Sequence, residues 1–271
     1  MENKSVFTFI KKYGLIVLLL ALVLTGCSDL NKPIEENTTG FFNHYFIYNF
    51  SVLIKALADF MGGSYGLSII IITLAIRLVL MPFMLKQTKS SLEMQDKMGI
   101  MKPELDAIQK KYKGKKDRES QTKMQQEMMQ LYQKHNFNPL ASMAGCLPLV
   151  IQMPILLAFY YAIRRTPEIA THHFLWFDLG HVDIALTVIA VIIYFVQFKV
   201  SQMGLAEQQR KQMAMIGWIS PIMIGVISIN SPAALPLYWA VGGLFIVLQT
   251  LISKKIYFAH KKELEAKKKD K

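Results

Sequence analysis

Apolar residues along the chain fall into five long blocks, and polar residues collect between them. The blocks cover 65–85, 139–162, 183–203, 213–229 and 234–253, and a helix needs about 20 predominantly apolar residues to cross a bilayer. The pattern therefore predicts an all-α protein, a polytopic membrane bundle of five transmembrane helices. Prolines at positions 148, 154 and 221 are compatible with this prediction, because neighbouring groups in a bundle can satisfy the freed backbone.

Residues 86–138 show a different period, typical of helices outside the membrane. Apolar side chains recur there at steps of three or four positions, which places them on one helical face; they are Met94, Met98, Met101, Leu105, Ile108 and Tyr112, followed by Met124, Met128 and Leu131. Gly114, among lysines, marks a turn between the two stripes. We predict a cytoplasmic helical hairpin over 86–138. Its methionines form either the hairpin core or an adaptable surface for varied apolar segments.

The chain before the first block has the pattern of an export signal. Three lysines precede the apolar run 15–24, and Leu24-Thr25-Gly26-Cys27 resembles a bacterial lipobox. We predict a lipoprotein signal peptide over 1–26 and a lipid-anchored tether over 27–40, with diacylglycerol and an N-acyl lipid on Cys27; an uncleaved signal anchor is the alternative. Residues 41–62 are aromatic but interrupted by polar side chains, which favours an extracellular amphipathic helix in the membrane interface.

Composition and charge set the topology. Of 271 residues 52% are hydrophobic and only 18% are charged, below the roughly 25% of soluble domains, which argues against an ordinary soluble enzyme. The net charge is +12, and 22 of the 31 lysines and arginines lie in 86–138, the loop 204–212 and the basic tail 254–271. The positive-inside rule places these segments in the cytoplasm and the loop 163–182 outside. We therefore expect a multi-pass protein of the cell membrane with its N-terminus outside, as the lipobox also requires.

Arg77 lies near the middle of the first block, where an arginine costs at least about 2.5–3.5 kcal/mol on insertion scales. The five blocks contain one acidic residue, Asp183, at the edge of the third. Arg77 is therefore expected either to contact polar groups and water in a cavity or to receive an acidic partner from another molecule. Polar or amphipathic side chains that could line such a groove are Thr73, Gln152, Tyr194, Gln197, Ser201, Tyr238, Trp239 and Gln249. Each could instead hydrogen-bond a neighbouring helix.

Other chemistry is not indicated. The sequence has no glycine-rich phosphate loop and no nucleophile–base constellation, and its two cysteines are too few for a thiolate metal cage. We expect no enzymatic activity, no metal and no cofactor other than the lipid on Cys27. The lysine-rich tail either sets topology and contacts anionic lipid, or contacts ribosomal RNA.

Two motifs carry a family resemblance. The second block contains Cys146-Leu147-Pro148 and Ile151-Gln152-Met153-Pro154-Ile155. The second motif leads into the start of the fifth block and reads Ser231-Pro232-Ala233-Ala234-Leu235-Pro236-Leu237-Tyr238-Trp239. With the Arg77 block and the charged hairpin, residues 41–255 resemble the YidC/Oxa1/Alb3 family of membrane protein insertases. The lipobox and five spans resemble the lipoprotein form that this family takes in Gram-positive bacteria. Ala234 and Gly243 depart from the pattern, which often has Gly and Asn there.

The resemblance implies a function and partners. Family members bind one newly made membrane protein in a hydrophilic groove that opens to the cytoplasm and to lipid. The family's groove arginine, glutamine and tryptophan fall on Arg77, Gln197 and Trp239. The implied partners are nascent membrane proteins, lipoproteins among them, the Sec translocon, the ribosome and the bilayer, and the implied working form is a monomer.

Two other functions remain open from the residues alone. An ion-coupled transporter would need inverted repeats and usually membrane-embedded carboxylates. A passive scaffold for the Sec translocon would act only when the translocon is present.

Overall fold

A computed structural model describes residues 32–115, 117–138, 147–205, 210, 214 and 217–269. The predicted signal peptide, Cys27 and the start of the second block lie outside these residues. The elements are a π-helical turn at Asn43–Tyr48, α1 (Asn49–Phe60), α2 (Tyr65–Lys111), α3 (Arg118–Lys134), α4 (Leu147–Arg165), α5 (Pro167–Ala170), β1 (His173–Phe174), β2 (Phe177–Asp178), α6 (Ile184–Ser201), α7 (Ile219–Ser228) and α8 (Ala234–Lys269).

The prediction of an all-α membrane protein is confirmed in its general form: the chain is mainly helical and contains long apolar helices. Within the described residues, three helical stretches are long and apolar enough to cross a membrane: Tyr65–Lys111, Ile184–Ser201 and Ala234–Glu263. The apolar helix α7 has only 10 residues and α4 has 19. The strands β1 and β2 form a two-stranded antiparallel pair. The number of five spans stays a prediction.

Two helices continue past the predicted boundaries. Helix α2 has 47 residues, so it runs without a break from the first apolar block into the first arm of the hairpin, through Pro82 and Pro103. Helix α8 has 36 residues and runs from the fifth block into the basic tail. At 1.5 Å per residue α2 is about 70 Å long, about twice the thickness of a bilayer core.

The chain divides into two compact units, each with its own core. The first unit comprises 1–76, 150–194 and 221–243, and the second comprises 77–149, 195–220 and 244–271. Ile47, Ile54, Ile69 and Phe159 are fully buried in the core of the first unit. In the second unit, Met101, Leu105, Leu131 and Phe137 form the core between the arms of the hairpin.

Local polar contacts explain where several helices begin. The Asp117 carboxylate accepts a hydrogen bond from the Ser120 amide (2.8 Å), the side-chain cap expected at a helix N-terminus. Asp183, the acidic residue at the edge of the third block, caps α6 in the same way through the Leu186 amide (2.6 Å). Before α8, the amides of Ala233 and Ala234 donate to carbonyls of the loop 163–182. This loop therefore fixes the start of α8.

Candidate functional site

The predicted groove residues are divided between the two units. The first unit contains Thr73, Gln152, Tyr194, Tyr238 and Trp239, and the second contains Arg77, Gln197, Ser201 and Gln249.

In the first unit most of these side chains belong to the packed interior. Tyr238 and Trp239 are 3% and 6% exposed and lie in the apolar core, with the Tyr238 ring 5.0 Å from the ring of Phe159. Thr73 is also buried, and its hydroxyl donates to the Ile69 carbonyl (2.6 Å), so it is satisfied within its own helix. Tyr194 is half-buried against the same core, and Gln152 is half-buried.

Gly243 marks a close approach between α6 and α8 inside the first unit. A Cβ atom at this position would lie 2.9 Å from Ile193 Cγ2 and 3.0 Å from Tyr194 Cε2. These distances are too short for ordinary contact, so any larger residue would require the side chains of Ile193 and Tyr194, or the helix, to shift. A glycine at position 243 therefore fits the close packing of α6 and α8 in this chain. Ala234, the other departure, is completely buried.

In the second unit the predicted residues differ in exposure. Arg77 is half-buried on α2 and has a noncovalent partner, as Gln152, Tyr194 and Tyr238 do. Gln197 is half-buried and Gln249 is 8% exposed. Ser201 is exposed, and its hydroxyl donates to the Phe198 carbonyl (2.7 Å). The half-buried Arg77 and Gln197 and the exposed Ser201 have surface that a bound molecule could reach.

Sequence reasoning missed a buried lysine, Lys254. It was assigned to the basic tail, but it is 6% exposed and its ammonium donates to three carbonyls at the end of α6: Val200 (2.9 Å), Ser201 (2.8 Å) and Met203 (2.6 Å). A cation is favoured at this position because the last carbonyls of a helix lack partners and carry partial negative charge. One feature of the sequence could have indicated this burial: Lys254 is the first lysine after an apolar block. In the structure its neighbour Ser253 is also buried.

The two arms of the hairpin are joined by ion pairs at two levels along their length. The Glu104 carboxylate accepts from Lys134 (2.7 Å) and His135 (2.9 Å), and these hydrogen bonds lower the pKa of Glu104. Nearer the turn, Glu127 accepts from Lys111 (2.6 Å) and Tyr112 (2.8 Å), which lowers the pKa of Glu127.

The methionine stripe lies inside this hairpin. Met101 is fully buried, and Met94, Met98 and Met128 pack against the same core. The first of the two sequence interpretations, a hairpin core, therefore fits the structure.

The hairpin is also joined to the end of α8. Asp96 on α2 accepts a hydrogen bond from the Tyr257 hydroxyl (2.8 Å) and forms an ion pair with Lys261 (2.6 Å). The last helix thus has a specific contact with the first arm of the hairpin.

The outer-loop histidines do not assemble a metal site in the described part of the chain. His173 and His181 both approach Asp178, at 2.5 Å and 3.9 Å, but no group of three metal-ligating side chains forms there.

Comparisons with known proteins place these features in a family. The model of the 60Kd inner membrane protein family matches residues 56–261. The chain is 50% identical to membrane protein insertase YidC 2 of Listeria monocytogenes over 244 residues, covering 90% of this chain and 87% of that protein. It is 50% identical to YidC 2 of Bacillus anthracis, covering 90% and 94%. It is 47% identical to membrane protein insertase MisCA of Bacillus subtilis, covering 90% and 92%. The chain therefore belongs to the YidC family of membrane protein insertases.

Proposed function

We propose that this protein inserts newly made integral membrane proteins, including lipoproteins, into the cell membrane and assists their folding. The observation that carries the proposal is the 50% identity with a relative named as a membrane protein insertase, over 90% of this chain. Insertion makes and breaks no covalent bond in the client, so the function is not enzymatic. The clients are nascent membrane proteins.

The proposed topology has five spans, the N-terminus outside and the C-terminus in the cytoplasm. It is supported by the distribution of lysine and arginine, of which 22 fall in segments that this topology places inside. The mature chain would begin at a lipidated Cys27. Two acyl chains hold a protein on a membrane firmly, whereas one does so only marginally.

The proposed working site is a hydrophilic groove lined by the polar residues of the second unit that have accessible surface, Gln197 and Ser201, with Arg77 as its charged member. An arginine in such a groove attracts carboxylates strongly, because the low-dielectric walls of a cleft focus the electric field of its charges even when the cleft is wet. The acidic extracellular tail of a client would compete for the guanidinium with the contacts that Arg77 makes in the free protein. The step that we propose is therefore an exchange, in which the client's carboxylate replaces the partners that Arg77 has in the free protein.

Release of the client follows from hydrophobic transfer. Apolar surface that moves from a wet groove into lipid gains about 25 cal/mol per Å². A client segment long enough to span the bilayer therefore leaves the groove sideways without any external energy source. Once it has left, Arg77 returns to its own contacts and can receive the next client.

Three further partners belong to the proposal. The seven lysines of 255–271 are suited to contact ribosomal RNA, and they are equally suited to anionic lipid. The protein is proposed to work as a monomer, alone or with the Sec translocon. Insertion into liposomes that contain this protein alone would separate an autonomous insertase from a scaffold of the translocon.

Substitution of Arg77 tests the proposal. In a strain depleted of its own insertases, Arg77→Glu is expected to abolish insertion of a single-span client with an acidic outer tail, measured by protease accessibility of that tail. Arg77→Lys keeps the charge and should retain insertion. Lys110→Glu reverses an exposed charge farther along the same helix and serves as the matched control. Full insertion by Arg77→Glu would refute the role of the arginine.

A further inference from the structure

We propose that the second unit contains a binding site for the phosphate headgroup of an anionic phospholipid, at the end of α6. A cavity of about 400 Å³ lies there, lined by Phe198, Lys199, Gln202, Met203, Arg210 and Trp218, among others. It combines cationic side chains with an aromatic floor, and this combination is suited to a charged headgroup attached to apolar chains.

The cations of this headgroup site come from two segments. Lys199 lies in the last turn of α6, and Arg210 lies in the segment that follows; both side chains are exposed. Within the described residues, neither forms an ion pair with a carboxylate. Arginine offers a planar fork that matches two phosphate oxygens, and lysine adds a compact charge. Two such donors facing one cavity can hold a phosphodiester.

The floor of the headgroup site is aromatic. The Trp218 ring lies 5.1 Å from the Phe195 ring and 5.8 Å from the Phe198 ring, and the Lys199 ammonium lies 5.2 Å from the centre of the Phe195 ring. Tryptophan is enriched at the level of lipid headgroups because its ring is partly apolar and partly polar. A free phosphate ion would leave this floor without a partner, whereas the glycerol and the first acyl carbons of a lipid would cover it.

The walls of the headgroup site are fixed by packing. A Cβ atom at Gly217 would lie 2.0 Å from Phe198 Cε2, so the backbone at Gly217 packs directly on the aromatic floor. The end of α6 is held by Lys254, whose ammonium binds the carbonyls of Val200, Ser201 and Met203. A site with fixed walls loses little conformational entropy when it binds a ligand.

A lipid fits this position better than RNA does. In the proposed topology, residues 199–218 join the cytoplasmic ends of two spans and so lie at headgroup depth; the inference rests on that part of the proposed function. RNA phosphates would be expected to bind the more exposed tail beyond Lys254. Basic pockets on the cytoplasmic side of membrane helices are known to take anionic headgroups.

The test compares lipid retention by purified full-length variants. The protein in detergent micelles is mixed with equal amounts of phosphatidylglycerol and phosphatidylcholine, and retained lipid is counted by native mass spectrometry. The double variant Lys199→Gln/Arg210→Gln is expected to bind phosphatidylglycerol about 30-fold more weakly. The conservative double variant Lys199→Arg/Arg210→Lys should retain binding, which separates loss of charge from misfolding.

A matched control removes two charges elsewhere. Lys110→Gln/Lys113→Gln changes two exposed lysines of the hairpin and should leave phosphatidylglycerol retention unchanged. An equal loss of phosphatidylglycerol retention in Lys199→Gln/Arg210→Gln and in the control variant would overturn the proposal. So would displacement of the lipid by inorganic phosphate or by a short single-stranded RNA that binds with the same affinity. Arg77→Glu should retain the lipid, so failure of the headgroup site and failure of the proposed insertion mechanism give different results.

Discussion

Lys254→Met is the substitution whose consequence follows most directly from the structure. Lys254 is 6% exposed, and its ammonium donates three hydrogen bonds of 2.6–2.9 Å to carbonyls at the end of α6. Methionine preserves the unbranched apolar stem but removes the charge and all three donors. The end of α6 would lose a side chain that caps it from α8.

The size of the effect is set by opposing contributions. A hydrogen bond to a charged group contributes about 1.5–3 kcal/mol, and a partly buried cation at a helix C-terminus contributes up to about 2 kcal/mol. Burial of the ammonium costs free energy that methionine recovers, so these figures do not add. We expect Lys254→Met to lower the free energy of unfolding by about 2 kcal/mol, because the Ser201 and Met203 carbonyls lose this donor while the Val200 carbonyl keeps the Met203 amide (3.2 Å).

The assay is equilibrium unfolding of the purified protein in mixed micelles, followed by circular dichroism. Lys255→Met is the control, because the neighbouring lysine is exposed and its loss should change the free energy of unfolding by no more than about 0.5 kcal/mol. Equal destabilisation by the two variants would mean that charge near the membrane surface matters and that the three hydrogen bonds do not.

Three further predictions concern packing, coupling and pH. Gly243→Asn should destabilise the protein by about 1–3 kcal/mol, measured as above, because its Cβ would lie 3.0 Å from Tyr194 Cε2; unchanged stability would contradict the close approach. Asp96→Asn should increase amide hydrogen exchange at the end of α8, where Tyr257 loses a charged acceptor, with little change in global stability. The lowered pKa of Glu104 predicts a contribution to hairpin stability that is full above the ordinary carboxyl pKa and is lost as pH falls through the lowered value. Denaturation of wild type and Glu104→Gln across this range should converge at acid pH.

Local periodicity indicates which residues share a helical face, but it does not indicate where a helix ends. The stripe from Met94 to Tyr112 defines a helical face because side chains three and four positions apart are neighbours. The predicted boundary at 85/86 is the point where apolar residues give way to polar ones. The backbone hydrogen bonds of a helix do not depend on this change, so they can continue through it. Helix α2 therefore continues to Lys111, just before Gly114, whose φ of +86° favours glycine.

Tertiary contacts of polar residues were beyond sequence reasoning. Residues 27–40 were predicted to be a tether, yet Ile34 is 5% exposed and its amide donates to the Arg165 carbonyl (2.9 Å). The Arg165 guanidinium in turn donates to the Lys32 carbonyl and to the Asn43 side chain. The sequence indicates for Arg165 only a place in the outer loop 163–182, because nothing in its neighbours shows which distant backbone it contacts.

The cations of this chain therefore differ in what they are available to bind. Arg165 in the first unit and Lys254 in the second are buried and donate to backbone carbonyls, so each stabilises the fold. Lys199 and Arg210 are exposed beside a cavity, and Lys110 is exposed on the hairpin. The net charge of +12 consequently overstates the charge that clients, lipid or RNA can reach. A charge-reversal scan is interpretable only if buried cations are scored for stability and exposed ones for binding, since loss of insertion at Lys254 would report unfolding of the end of α6.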